Sequence, residues 1–229
     1  MTKQSLFKDA IWHALHSKHR HLGAFAGQAC RYQKDVAPFA AVAEPAADAF
    51  RQLCSLLEPD EAVWLMCEDD PQLPELRSID RLTCLQMELP ESADWPSPTV
   101  EVERLSGGNA PEMVALTTLA FPGFFHARTH LMGAYYGVRS SSGELIAMAG
   151  ERLMLDGYSE ISGVCTHPAH RGKGLASKLI GRLVQDHRRE GLVSWLHVAE
   201  SNRRAIELYQ RLGFVQIGKV ALHRIVRAA

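Results

Sequence analysis

The pattern of apolar and polar positions changes once along the chain. Before residue 89 strand signals are few and alanine is plentiful. Ser5–His16 and Pro45–Leu57 carry apolar residues at helical spacing, and in the second Ala46, Ala49, Phe50, Leu53, Leu56 and Leu57 fall on one stripe. Ala62–Cys67 and Arg81–Leu89 are short apolar runs compatible with strands. Leu89–Pro98 (LPESADWPSP) then places prolines at 90, 96 and 98, which sustain neither a helix nor a central strand. A boundary is expected there, between an N-terminal part (residues 1–97) and a C-terminal part (98–229).

The C-terminal part alternates regularly. Thr99–Leu105 reads as a strand, Ala110–Ala120 as a helix, and Tyr135–Arg139 and Glu144–Leu155 as strands joined by the turn Ser140–Gly143. Tyr158–Thr166 is a further strand, reached through Asp156-Gly157. Gly174–His187 puts Leu175, Leu179 and Leu183 on one helical stripe, and Ser194–Val198 is a strand. Asn202–Leu212 is a helix stopped by Gly213, followed by strands at Phe214–Ile217 and Val220–Val226. The order β-α-β-β-β-α-β-α-β-β predicts an α/β fold, a mixed sheet with helices on its faces.

Composition narrows the class. Apolar residues make up 46% of the 229 positions and charged residues 22%, and the formal net charge is −1. Such a balance gives no basic field for nucleic acid or an anionic membrane, so neither partner is expected. No apolar stretch approaches the ~20 residues of a bilayer span, and the start is too polar for a signal-peptide core, so a cytoplasmic location is expected. The five cysteines include no CxxC pair and are expected to be reduced. His13, His16, His19 and His21 form a conspicuous cluster, yet it lacks an i, i+4 pair with a carboxylate; it reads as a solvated helix end with capping histidines, and no metal is expected.

The chemical signal lies in His167-Pro168-Ala169-His170-Arg171-Gly172-Lys173-Gly174-Leu175-Ala176. A strand runs into a glycine-bearing loop and then a strong amphipathic helix, which presents unpaired amides at the positive end of a helix dipole. With Arg171 and Lys173 alongside, this is an anion site suited to phosphate. The P-loop pattern fails because no Gly-Lys-Ser/Thr exists, and a GxGxxG fingerprint starting at Gly172 meets Ser177 at its third position.

Arg171-Gly172-Lys173-Gly174-Leu175-Ala176 resembles the [QR]xxGx[GA] signature of the GNAT superfamily of acetyl-CoA-dependent N-acyltransferases. Asn202…Ala205…Leu208-Tyr209…Leu212-Gly213-Phe214 is similar to that superfamily's second signature, N…A…LY…GF. The resemblance covers Thr99–Ala229. Its branch related to glycine N-acyltransferases implies a smaller, degenerate α/β copy of the fold in residues 1–97. Acetyl-CoA is the implied co-substrate, with one site per chain and a small-molecule amine as acceptor; the chain would act as a monomer or homodimer. The implied coenzyme contacts are Gly172, Gly174, Leu175 and Ala176 through their amides, Arg171 and Lys173 near the phosphates, Val164, Cys165 and Thr166 along the pantetheine arm, and Asn202, whose alternative is a helix N-cap. The strands Tyr158–Thr166 and Ser194–Val198 would splay to admit the coenzyme.

Catalytic roles follow from the same resemblance. Tyr209 matches the tyrosine that protonates the coenzyme A sulfur, the alternative being a core residue. Glu160 lies eleven positions before Arg171, the spacing of the general-base glutamate in histone-type members; the alternative is a strand-face carboxylate in a salt bridge. Cys165 offers a covalent acetyl-cysteine route as a lesser possibility. The acceptor would enter over Phe121–His130, where two aromatics and Arg128 either grip it or pack under a loop. A non-enzymatic acyl-CoA-binding module is the competing class of function.

Overall fold

The computed structural model describes residues 3–93 and 102–228. The N-terminal segment gives α1 (Lys3–Lys8), α2 (Ala10–Leu15), β1 (Gly23–Ala26), β2 (Ala29–Tyr32), β3 (Phe39–Val42), α3 (Ala47–Ser55), β4 (Ala62–Met66) and β5 (Leu76–Glu88). The C-terminal segment gives β6 (Glu103–Leu105), α4 (Ala110–Ala120), β7 (Tyr135–Arg139), β8 (Leu145–Leu155), β9 (Tyr158–Thr166), α5 (Leu175–Arg189), β10 (Val193–Ala199), α6 (Arg203–Arg211) and β11 (Val215–Arg227). The expected strand over Thr99–Leu105 begins outside the described residues, as does most of the Pro-rich joint.

Among the described residues eleven strands form one mixed sheet in the order β1-β2-β3-β4-β11-β5-β10-β9-β8-β7-β6. Its centre is an exchange. β3 and β4 run parallel around the crossover helix α3, and β9 and β10 run parallel around α5. The strand following β4, β5, pairs with β10, while the strand following α6, β11, pairs with β4; β5 and β11 pair with each other. The two segments therefore share a hydrogen-bonded centre. A β-β-α-β order occurs twice, around α3 and around α5.

Alternation along the strands sorts the helices onto faces. Phe39 and Ala41 of β3 join the cluster under α1 and α2, whereas Ala40 and Val42 join the one under α3. On β10, Trp195 faces the α1–α2 side, and Leu196 and Val198 face α5 and α6. Helix α5 buries Leu175, Leu179, Ile180, Leu183 and Val184, each worth about 1.5–3 kcal/mol when fully removed from water.

Three expectations need correction. The single helix over Ser5–His16 is two short helices meeting at Asp9. The two closing strands are one, β11, with a bulge between Gln216 and Gly218 that absorbs the break in alternation. The strands β1–β3 have no counterpart in the sequence pattern, because β2 and β3 are buried at every position and so show no polar alternation.

Candidate active site

The anion loop keeps the form its sequence dictates. After β9, His167 accepts the Ala169 amide at 3.3 Å and caps a short turn, Pro168–His170. Gly172 and Gly174 then adopt φ of +82° and +71°, the left-handed region, and an added Cβ at either would meet nothing within 4 Å. Conformation, not crowding, requires glycine here. Gly174 is the N-cap of α5, so the amides of Leu175, Ala176 and Ser177 have no intrahelical acceptor and point outward at the positive end of a 15-residue helix. Arg171 and Lys173 are exposed beside them. This cradle fits a pyrophosphate. The equivalent loop between β3 and α3, Ala43-Glu44-Pro45-Ala46, has no glycine and carries an acid.

The sheet opens next to this loop. β9 and β10 pair only at Tyr158–Val193, Ser159–Ser194 and Glu160–Trp195. Beyond that register, Ile161–Thr166 and Leu196–Ala199 part, leaving the β10-facing edge of β9 without a strand partner. Gly163 at φ +63° marks a bulge, where pairing with β8 shifts between Met148 and Gly150. Val164 and Thr166 thus lie on an open edge, able to pair with an extended arm.

Tyr209 belongs to the α5–α6 cluster, with its ring edge-on to Phe214 at 5.8 Å. Burial, reinforced by the Glu160 charge and partly offset by Arg152, raises its phenol to about 12. It stays protonated at neutral pH, as a proton donor must. Asn202 sits just past the end of β10 and caps α6, its Oδ1 accepting the Ala205 amide at 3.2 Å.

Glu160 is fully buried and fully bonded. Oε1 accepts from Arg152 Nη2 at 2.5 Å and His197 Nδ1 at 2.7 Å, and Oε2 from Arg152 Nε at 2.9 Å and the Leu153 amide at 3.1 Å. Burial alone would raise this carboxyl, but the Arg152 guanidinium and His197 hold it down near 2. A carboxylate so placed is a fixed counter-ion with no free lone pair for an amine proton. The salt-bridge alternative describes this arrangement.

The bonds of Glu160 reveal groups the sequence did not. Arg152 and His197 line a cavity of about 40 Å³ on the α1–α2 face, together with mostly apolar side chains that include Ile11, Phe39, Cys84 and Phe124. His197 lies on the splayed part of β10, and its Nε2 is 3.0 Å from Gln86 Nε2. No local signal marks this histidine; its partners are 37 and 111 positions away.

Other expected residues fall elsewhere. Cys165 is buried beneath α4, and burial raises its thiol to about 12, the opposite of an activated nucleophile. Arg128 is engaged with Gln33 at 2.9 Å and Asp35 at 3.2 Å, so it staples the 121–130 loop to the N-terminal segment. Of the two loop aromatics, Phe125 packs edge-on to Tyr135, and Phe124 stacks over Trp64 and lines the cavity. In the histidine cluster, His16 caps its helix through the Trp12 carbonyl at 2.9 Å, as expected. His19, however, is buried against the Tyr32 hydroxyl at 2.9 Å, and burial lowers it to about 4. The described cysteines are all free, and no group of three or more His, Cys, Asp or Glu among the described residues could hold a metal.

A glycine-bearing helix N-terminus thus lies beside a sheet that splays at the same end. The family model described as Acetyltransferase (GNAT) family matches residues 100–214, half of the chain, and the chain belongs to that family. A GNAT-family structure from Novosphingobium aromaticivorans DSM 12444 is 34% identical and superposes with a TM-score of 0.86, covering 97% of this chain and 99% of that one. A GCN5-related N-acetyltransferase from Kribbella flavida, 20% identical, shares the fold over 100% of this chain and 97% of its own, with a TM-score of 0.61. The L-methionine sulfoximine/L-methionine sulfone acetyltransferase of Salmonella typhimurium is 31% identical over 96 residues, 35% of this chain and 56% of that protein. The L-amino acid N-acyltransferase MnaT of Escherichia coli is 35% identical over 97 residues, 40% of this chain and 56% of that protein. The chain thus spans about half the length of the curated relatives it matches. No helix among the described residues is long and apolar enough to cross a membrane.

Proposed function

We propose that this acyltransferase moves an acetyl or short acyl group from coenzyme A to the amine of a small amino-acid-like molecule, without a metal. The observation that carries the reading is the conjunction at one end of the sheet. The Gly172–Gly174 cradle follows the open edge of β9 at Val164–Thr166, and Tyr209 packs in the cluster that holds Ile161 of β9 and Leu196 and Val198 of β10. Two of the similar proteins acylate amino acids or their derivatives by name, which supports that acceptor class.

The same reading gives each of these residues a role. The amides of Gly172, Gly174, Leu175 and Ala176, with Arg171 and Lys173, bind the pyrophosphate. Val164, Cys165 and Thr166 offer backbone groups to the pantetheine arm, and Asn202 adds a contact while capping α6. Bound there, the coenzyme supplies a thioester whose sulfur leaves as the new amide forms. Tyr209 gives that sulfur its proton. The α3 loop lacks these features, so one coenzyme site per chain is proposed, in residues 98–229. Residues 1–97 complete the acceptor side through Ile11, Phe39 and Cys84. The test is transfer from acetyl-CoA to a panel of L-amino acids and L-methionine sulfone, read as released thiol and confirmed by mass of the product. Amine-dependent thiol release is expected; release independent of every amine would refute the reading.

A further inference from the structure

We propose that His197 accepts the proton of the attacking amine, and that Glu160 is the positioning residue that holds its ring. The proposal rests on the acyl-transfer reading above and supplies the base that Glu160 itself cannot be.

The hydrogen bonds fix which ring nitrogen carries the lone pair. Gln86 Nε2 donates to the Phe7 carbonyl at 2.8 Å and lies 3.0 Å from His197 Nε2. A carboxamide nitrogen only donates, so Nε2 of His197 must carry a lone pair. Turning the amide over would set its oxygen against the Phe7 carbonyl, two acceptors in contact, so the orientation is fixed. The ring proton is therefore on Nδ1, where it is donated to Glu160 Oε1 at 2.7 Å. A carboxylate on one ring nitrogen and a lone pair on the other is the arrangement that orients a histidine base.

Position agrees with this chemistry. His197 is two residues beyond Trp195, the last residue of β10 that pairs with β9. Its side chain is on the α1–α2 face and lines the cavity, whereas the phosphate cradle belongs to α5 on the other face. Thioester and amine would meet across the split from opposite sides. The cavity's 40 Å³ admits about three waters, at 10–15 Å³ of such volume each, or an amino group and its first carbons. The charged and titratable groups packed around His197 are Glu160 from β9, Arg152 from β8 and Cys84 from β5; α1 and α2 contribute the Phe7 carbonyl and Ile11.

In the step, the neutral amine displaces Gln86 as the donor to Nε2, and Gln86 keeps its bond to Phe7. The amine lone pair forms the C–N bond to the thioester carbonyl carbon, and the C–S bond breaks with its electron pair going to sulfur. The amine proton passes to His197 Nε2, sulfur takes the Tyr209 proton, and solvent returns His197 and Tyr209 to their starting states.

His197→Gln is compared with the wild type in acetyl transfer from acetyl-CoA to L-methionine sulfone and the L-amino acid panel between pH 5.5 and 9.5. The expected result is a fall of about 10²–10⁴-fold in kcat/KM for the amine, unchanged affinity for acetyl-CoA, and partial rescue by added imidazole. A variant that keeps the wild-type rate overturns the proposal. Nitrogen NMR of histidine-labelled wild type gives a readout independent of the acceptor: the tautomer of His197 with its proton on Nδ1 is expected, and the Nε2-protonated tautomer overturns the proposal. Wild-type protein that transfers to none of these amines refutes the proposed function, and the His197 role with it.

Discussion

Glu160→Gln removes the charge at the most deeply buried ion pair of the site while keeping the side chain's shape. A carboxyl held near 2 in place of 4.5 is favoured as the anion by about 3 kcal/mol, at ~1.4 kcal/mol per pH unit. Removing one partner of a buried pair typically costs about 3–5 kcal/mol, because the other charge is left uncompensated. Both routes give the same size of effect: Glu160→Gln should lose about 3 kcal/mol in urea unfolding at pH 7. Adding Arg152→Met should recover much of that loss, since the stranded guanidinium is then gone. The pH dependence has a definite sign. The folded carboxyl is depressed, so its contribution is complete above about 4.5 and disappears as pH falls toward about 2. The wild-type and variant curves should converge over that window. A variant within 1 kcal/mol of wild type at pH 7, with a difference independent of pH, would refute the ion-pair account.

His19, lowered from 6.5 to about 4 by burial, is neutral in the fold but charges in the unfolded chain. Stability should therefore fall by about 2 kcal/mol between pH 7 and pH 5, and His19→Gln should remove that slope in urea midpoints; an unchanged slope would count against it. Gly163→Ala places a Cβ at φ +63° and 3.3 Å from Tyr135, for a loss of about 1–2 kcal/mol, and thermal unfolding at wild-type stability would contradict the bulge. Tyr209→Phe deletes only the hydroxyl, so kcat should drop by about 10²-fold with coenzyme affinity retained; wild-type turnover would return Tyr209 to the core.

What the sequence revealed depended on how local each cause is. Helix α4 and strands β7 and β9 have the bounds that their periodicity predicts, because each pattern is contained within its own element. The cradle was legible for the same reason: two left-handed glycines and a helix N-terminus fit in ten residues. Strands β2 (ACRY) and β3 (FAAV) were not, since small side chains buried on both faces carry no alternation and alanine favours helices. The placement of β5 between β10 and β11 depends on the exchange of strands between segments, which no window of sequence contains. Glu160 shows the same limit. Its spacing from Arg171 is visible, but its Arg152 and His197 contacts arise only when β8, β9 and β10 come together.

Calorimetric titration of the chain with coenzyme A, wild type against Gly174→Glu, tests the central claim most directly. The variant sets a carboxylate and a Cβ at a left-handed N-cap, against the pyrophosphate. One coenzyme A per wild-type chain and no measurable binding by Gly174→Glu is the predicted result. Equal binding by the two proteins, or two sites per chain, would contradict it.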